Sequence, residues 1–240
     1  MNEQPAEAVR DLVRLPFPDR RAAGRVLAAA LRRRFTGADG RLTLDRPIAL
    51  ALPRGGVAVA YEVASEFGFP LDVLVTRKIG HPAQPELGVG AITEGGDQVE
   101  PVYDDMLLRE LGINRDELAS VVERERAELA RRVEVYRSGR PSPDVAGRCV
   151  ILVDDGLATG VTARAALRTL QAGHAARTVL AVPVGSPESV AALGAEADDV
   201  VVLAKPRGFR AVGEWYASFG QLSDADVLHL LRAAGGRNPG

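Results

Sequence analysis

The sequence predicts a doubly wound α/β fold built on a mainly parallel sheet, and three observations lead there. Five apolar runs of five to seven residues, Ile48–Leu52, Leu71–Thr76, Cys149–Val153, Thr178–Val184 and Asp199–Leu203, are too short for helices and long enough for buried strands. Helical repeats separate most of them, so successive strands should run parallel through crossovers. The 240 residues, 46% of them hydrophobic, suffice for one substantial core. A single domain over 1–240 is therefore expected, with its core at about 18–80 and 145–205. A hairpin, a long helix and terminal segments would form a smaller lobe at about 81–144 and 206–225.

Taken in order, Asp19 can cap a helix whose apolar residues Ala23, Val26, Leu27, Ala30 and Leu31 recur at helical spacing. Strand Ile48–Leu52 leads through Pro53-Arg54-Gly55-Gly56 into a second helical pattern at Val57, Ala60, Tyr61 and Ala64, which Gly68 stops. With strand Leu71–Thr76 this makes one βαβ unit. The rhythm then breaks. Leu87–Thr93 and Gln98–Tyr103 read as a hairpin joined by Glu94-Gly95-Gly96-Asp97. From Asn114 to Arg137 a charged stretch free of glycine and proline predicts a long, mostly solvated helix, and Pro141–Gly147 a short linker. Strand and helix then alternate again: Cys149–Val153, helix Thr162–Gln171 closed by Gly173, Thr178–Val184, helix Pro187–Leu193 and Asp199–Leu203.

Composition excludes several function classes. Lys and Arg number 30 against 32 Asp and Glu, a formal charge of −2, so no general attraction to nucleic acid or acidic membrane is built in. Any anion site must be local. Met1–Leu12 lacks the apolar stretch of a secretory signal, no run approaches a membrane span, and Cys149 has no partner for an internal disulfide. A cytoplasmic location is the expectation. His81, His174 and His229 are dispersed, with no spacing of a metal cage.

The chemistry resides in Val150-Ile151-Leu152-Val153-Asp154-Asp155-Gly156-Leu157-Ala158-Thr159-Gly160-Val161-Thr162. A buried strand ends in two acids at the edge where open α/β sheets bind ligands. Ionised carboxylates only accept hydrogen bonds, so Asp154 and Asp155 suit a vicinal diol such as the ribose 2- and 3-hydroxyls. Small residues at Ala158, Thr159 and Gly160 let backbone N–H groups approach a phosphate, Thr159 and Thr162 add hydroxyls, and the helix that opens at Thr162, just after Val161, favours an anion. A diol at one end and a phosphate at the other describe a pentose 5-phosphate. Paired acids also simply end strands and begin turns. A nucleotide hydrolase would need a G-x-x-x-x-G-K-[ST] loop, and the chain has none.

This stretch resembles the phosphoribosyl pyrophosphate motif of the type I phosphoribosyltransferases. The likeness runs from Phe17-Pro18-Asp19-Arg20 to Trp215-Tyr216, through Leu52-Pro53-Arg54-Gly55-Gly56, Val75-Thr76-Arg77-Lys78 and Ala211-Val212-Gly213-Glu214-Trp215-Tyr216, and fits a bacterial group whose acceptor is undefined. The resemblance implies that Arg54, Gly55 and Gly56 form a pyrophosphate loop, with Arg77 and Lys78 over the leaving group beneath a mobile hood. It also implies Mg²⁺ carried mainly by substrate phosphates, with Asp154 and Asp155 nearby.

The expected reaction is displacement of pyrophosphate from ribose C1 by a nitrogen acceptor, with nucleobases foremost. Ala158 stands where 6-oxopurine enzymes usually carry an acid, and the Ala-Thr-Gly loop is more similar to that of adenine enzymes. Phe209, Trp215 and Tyr216 are candidates to stack on a base, although a lone tryptophan is more often core. The competing class is a non-catalytic sensor of the same fold, which has less use for Arg54, Arg77 and Lys78. A hydrolase using water as acceptor is a third. Homodimer formation is left open.

Overall fold

The computed structural model describes residues 13–95 and 100–235. Its elements run α1 (Arg20–Phe35), β1 (Ile48–Ala51), α2 (Gly55–Phe67), β2 (Leu71–Val73), β3 (Thr76–His81), β4 (Gln84–Thr93), β5 (Val102–Tyr103), α3 (Asp105–Leu111), α4 (Ala119–Arg137), β6 (Cys149–Val153), α5 (Val161–Ala172), β7 (Arg177–Val184), α6 (Pro187–Leu193), β8 (Asp199–Ala204) and α7 (Asp224–Gly235). Asp19 caps α1 as the sequence predicts, its carboxylate accepting from the Ala22 N–H at 2.7 Å.

Five strands form a parallel sheet in the order β2-β1-β6-β7-β8. The order reverses between β1 and β6, which places a ligand crevice beyond the carboxyl ends of those two strands. In the sheet register Leu50 faces Leu152 and Leu152 faces Leu180, and this row packs with Leu167 and Leu170 of α5 and Leu193 of α6. The alternate residues Ala49, Ala51, Ile151 and Val153 pack with Leu27 and Leu31 of α1 and with Val59 and Val63 of α2. Both faces are covered, so the strands are apolar throughout rather than alternating.

The run Leu71–Thr76 is not one strand. Its first half pairs with β1, while Thr76 begins β3, which pairs with β4 in a separate antiparallel sheet of order β3-β4-β5. The fork is held by buried charge. Glu94 accepts the Val75 N–H at 2.7 Å and two bonds from Arg137 at 2.6 and 2.7 Å, and Arg137 also donates to the Val73 carbonyl at 2.9 Å. Arg137 and Glu94 are both nearly inaccessible, so the pair redirects the chain and joins the end of α4 to both sheets.

Leu87–Thr93 does pair antiparallel with the segment ending at Tyr103, while Gly96 and Asp97 of the expected turn and Gln98 of the expected strand lie outside the described residues. The charged stretch from Asn114 opens as a short 3-10 turn at Arg115–Leu118 and continues as α4, which buries Val121, Val122, Glu125, Leu129, Tyr136 and Arg137. One face of α4 is thus packed, and the opposite face stays solvated. Helices α3 and α7 were not expected, and Val227 and Leu231 of α7 join the larger core cluster beside α2. No described helix is long and apolar enough to cross a membrane.

Candidate functional site

Strands β1 and β6 lie side by side, Ala51 opposite Val153, and the Leu52 N–H still donates to the Val153 carbonyl at 2.9 Å. The two following loops are therefore in contact. A Cβ on Gly56 would sit 2.7 Å from the Val153 carbonyl oxygen, and one on Gly55 would overlap Asp155 Oδ2. These glycines are required by close approach. The Pro53–Arg54 peptide is cis.

The acid pair is compressed. Asp154 Oδ1 accepts the Asp155 N–H at 2.8 Å. Burial, and then the neighbouring Asp155 charge, pushes the Asp154 carboxyl well above the usual carboxylate range. Burial also raises that of Asp155, opposed by Arg20, whose Nε lies 2.7 Å from Asp155 Oδ2. Arg20 also donates to the Gly220 carbonyl at 2.7 Å, and its guanidinium carbon sits 3.8 Å from the centroid of the Phe219 ring. The buried Tyr216 hydroxyl donates to the Asp155 carbonyl at 2.5 Å. Phe17 holds this arrangement through backbone bonds to Trp215 and Ala217.

The turn after the acids is organised by backbone. Val212 packs where a Gly156 side chain would stand, and Leu157 is tied to β7 by its N–H on the Val184 carbonyl and its carbonyl under the Ser186 N–H, both at 2.9 Å. Ala158 and Thr159 are exposed, and Gly160 takes a left-handed φ of 73° before α5 begins. Among the described residues no acceptor takes the N–H groups of Ala158, Thr159, Gly160, Val161 or Thr162. Five consecutive unclaimed donors at a helix start are a geometry that suits an anion.

The basic residues divide. Arg54 reaches toward Asp224 of α7, Nη1 to Oδ1 at 3.8 Å, and Asp224 also accepts the Tyr136 hydroxyl at 2.5 Å. Neighbouring side chains on a strand point to opposite faces. Arg77 accordingly bonds Glu125 of α4 at 2.6 and 3.0 Å, whereas the Lys78 stem lies over Gly88 beside Val161, with Nζ on the Glu86 carbonyl at 2.8 Å. The crevice therefore brings together Gly55, Gly56, Asp154 and Asp155, with the Ala158–Thr162 turn following directly. Lys78 lies on the α5 side, Arg77 is paired with Glu125 of α4, and Arg54 lies near Asp224 of α7.

His81 is structural, its Nδ1 accepting the Ala83 and Gln84 N–H groups at the β3–β4 turn. Among the described residues no group of three or more His, Cys, Asp or Glu is placed to hold a metal. Phe209 stacks on Trp215, ring centroids 6.2 Å apart, within a small apolar cluster that includes Phe17 and Tyr216. Residue reasoning missed Arg20 and the Tyr216 hydroxyl as partners of Asp155. Both lie in stretches that carry the family resemblance, but no spacing rule links positions 135 and 61 residues apart.

A family profile described as "Phosphoribosyl transferase domain" matches residues 25–202. In two strains of Mycobacterium tuberculosis, proteins named "Putative phosphoribosyl transferase" are 44% identical over 218 residues, covering 91% of this chain and 47% of theirs. The chain spans about half the length of these relatives. The crystal structure of TT1426 from Thermus thermophilus is similar at a TM-score of 0.70 and 45% identity, covering 90% of this chain and 97% of that one. The crevice with its acid pair and open turn lies largely inside the matched region, and the chain belongs to the phosphoribosyl transferase domain family.

Proposed function

We infer that the chain binds phosphoribosyl pyrophosphate with Mg²⁺ and transfers its ribose 5-phosphate to a nitrogen acceptor, with nucleobases the foremost class, releasing pyrophosphate. The observation that carries this is the sequence of groups along one crevice: two carboxyls, then five unclaimed N–H donors in nine residues of chain, Asp154 to Thr162. The first set fits the ribose diol and the second its 5-phosphate.

The acids also fit a divalent cation. Two adjacent carboxyls, both pushed upward by burial and one further by its neighbour, are a donor set that bound positive charge would relieve. Mg²⁺ would supply charge neutralisation for the pyrophosphate leaving group. Asp154 and Asp155 orient the diol and favour the positive charge that builds on the sugar as the C1–oxygen bond breaks and the C1–nitrogen bond forms. The electron pair of the broken bond leaves with pyrophosphate. The Gly55 and Gly56 backbone, Arg54 and Lys78 supply its surroundings. Arg77 would have to leave Glu125 to join them.

Calorimetric titration with phosphoribosyl pyrophosphate, with and without Mg²⁺, tests the reading. Binding should require Mg²⁺ and weaken at least a hundredfold in the double variant Asp154→Asn, Asp155→Asn; unchanged binding refutes the assignment. Pyrophosphate release across a panel of nucleobases and small amines then separates function classes. Turnover with one acceptor defines the enzyme, whereas tight binding without turnover for any of them identifies a sensor.

A further inference from the structure

The phosphate turn has a support that its own sequence does not reveal. Ser186 caps α6 by accepting the Ser189 N–H at 3.1 Å, and both hydroxyls converge on one atom, the Ala158 carbonyl oxygen. Ser186 Oγ donates to it at 3.1 Å and Ser189 Oγ at 2.5 Å. The serines are 8% and 7% exposed, although the turn residue they hold lies at the surface. Helix α6 presses closely on the turn: a Cβ on Gly160 would meet Leu193 Cδ1 at 3.0 Å and Ser189 Cβ at 3.4 Å.

The cap uses only the acceptor side of the Ser186 hydroxyl and leaves its proton for the Ala158 carbonyl, while the Ser189 hydroxyl has no part in starting α6. Their shared target has a geometric consequence. The Ala158 carbonyl and the Thr159 N–H belong to one planar trans peptide, so they point in opposite directions. Fixing the oxygen against α6 turns the Thr159 N–H away from that helix. Leu157, stapled to β7 on both sides of its residue, prevents the preceding unit from compensating. Without the hydroxyls the oxygen would lose both partners, and rotation of the peptide to find water would present an oxygen to the phosphate in place of a donor.

We propose that Ser186 and Ser189 are positioning residues of the 5-phosphate site, which aim the Thr159 amide by clamping the Ala158 carbonyl. This rests on the phosphoribosyl reading given above and extends it to residues outside the motif. Their action is confined to one end of the ligand, since the pyrophosphate end is formed by Arg54, Gly55 and Gly56.

The test compares two partial ligands, ribose 5-phosphate and Mg²⁺-pyrophosphate, titrated into the wild-type chain and into Ser186→Ala, Ser189→Ala and the double variant. Loss of one aimed, charge-assisted hydrogen bond should raise the ribose 5-phosphate Kd about tenfold in the double variant, with the Mg²⁺-pyrophosphate Kd within about twofold of wild type. Ser189→Thr, which keeps a hydroxyl, should recover most of the affinity. Should the double variant not fold, Ser189→Ala alone, which removes the shorter bond, should still show the ligand-selective loss. An unchanged ribose 5-phosphate Kd, or an equal rise for both ligands, overturns the clamp. Failure of the wild-type chain to bind ribose 5-phosphate overturns the underlying functional reading instead.

Discussion

The two ends of the crevice are built in opposite ways. At the end proposed for the phosphate the groups on offer are backbone N–H donors in consecutive residues, supported by the neighbouring helix α6. At the end proposed for the diol they are two side-chain carboxyls kept in place by Arg20 and Tyr216, which lie far from them in sequence. A backbone receptor carries only partial charges and tolerates burial once its geometry is set. Paired carboxyls repel and resist desolvation, so that end needs a counter-charge and is the place where folding and ligand binding compete.

The largest effect on this contrast should come from Arg20→Met. The ion pair is mostly buried, with side-chain exposures of 11% and 14%, and removing the cation leaves Asp155 beside Asp154 without a counter-charge. Breaking a buried pair on one side costs about 3–5 kcal/mol. Chemical denaturation should report a loss of that size. Arg20→Lys keeps the charge but not the fork that also reaches Gly220, and should recover only part of it. A loss below about 1 kcal/mol for Arg20→Met would mean that the diol end does not depend on the terminal segments.

Next in size is a pH-dependent effect at Asp154. Its folded-state pKa is raised, so the group contributes stability that is fully present below the unfolded value, about 4, and is lost as pH rises through the folded value. Asp154→Asn removes that loss. The variant should melt above wild type at about pH 7, the difference should shrink toward zero near pH 4, and phosphoribosyl pyrophosphate binding should nevertheless weaken. A melting difference independent of pH would show that the carboxyl is not under electrostatic stress. Such a stability gain with functional loss should have no counterpart at the phosphate turn.

The same contrast explains what the sequence made legible. The sheet strands and the turn into α5 are contiguous patterns, so apolar runs, glycines and the Asp154–Thr162 stretch located them. What was missed depends on distant charges. Leu71–Thr76 reads as one apolar strand because nothing in it announces that Glu94 and Arg137 will take its backbone and split it. Arg77 and Lys78 read as one basic patch until strand alternation sends them to α4 and α5. Helix α7 is a different kind of omission: Ser223 and Asp226 cap each other three residues apart, a local signal before an apolar repeat.

The smallest effect, and the finest probe of the two-ended design, is Tyr216→Phe. Its hydroxyl makes one hydrogen bond, to the backbone carbonyl of Asp155, within a ring cluster that the substitution preserves. Loss of that bond should cost about 1 kcal/mol in stability. The Asp155 carbonyl belongs to the peptide leading into Gly156, so its release acts first on the acid pair and reaches the turn only past Leu157, which β7 holds independently. Ribose 5-phosphate affinity should therefore fall less than phosphoribosyl pyrophosphate affinity, since both ligands share the proposed diol contact but only the second adds the proposed metal contact at the acids. Equal losses for the two ligands would show that the acid pair and the turn move as one unit, and that the division between a charge-stressed end and a backbone end does not extend to their mechanics.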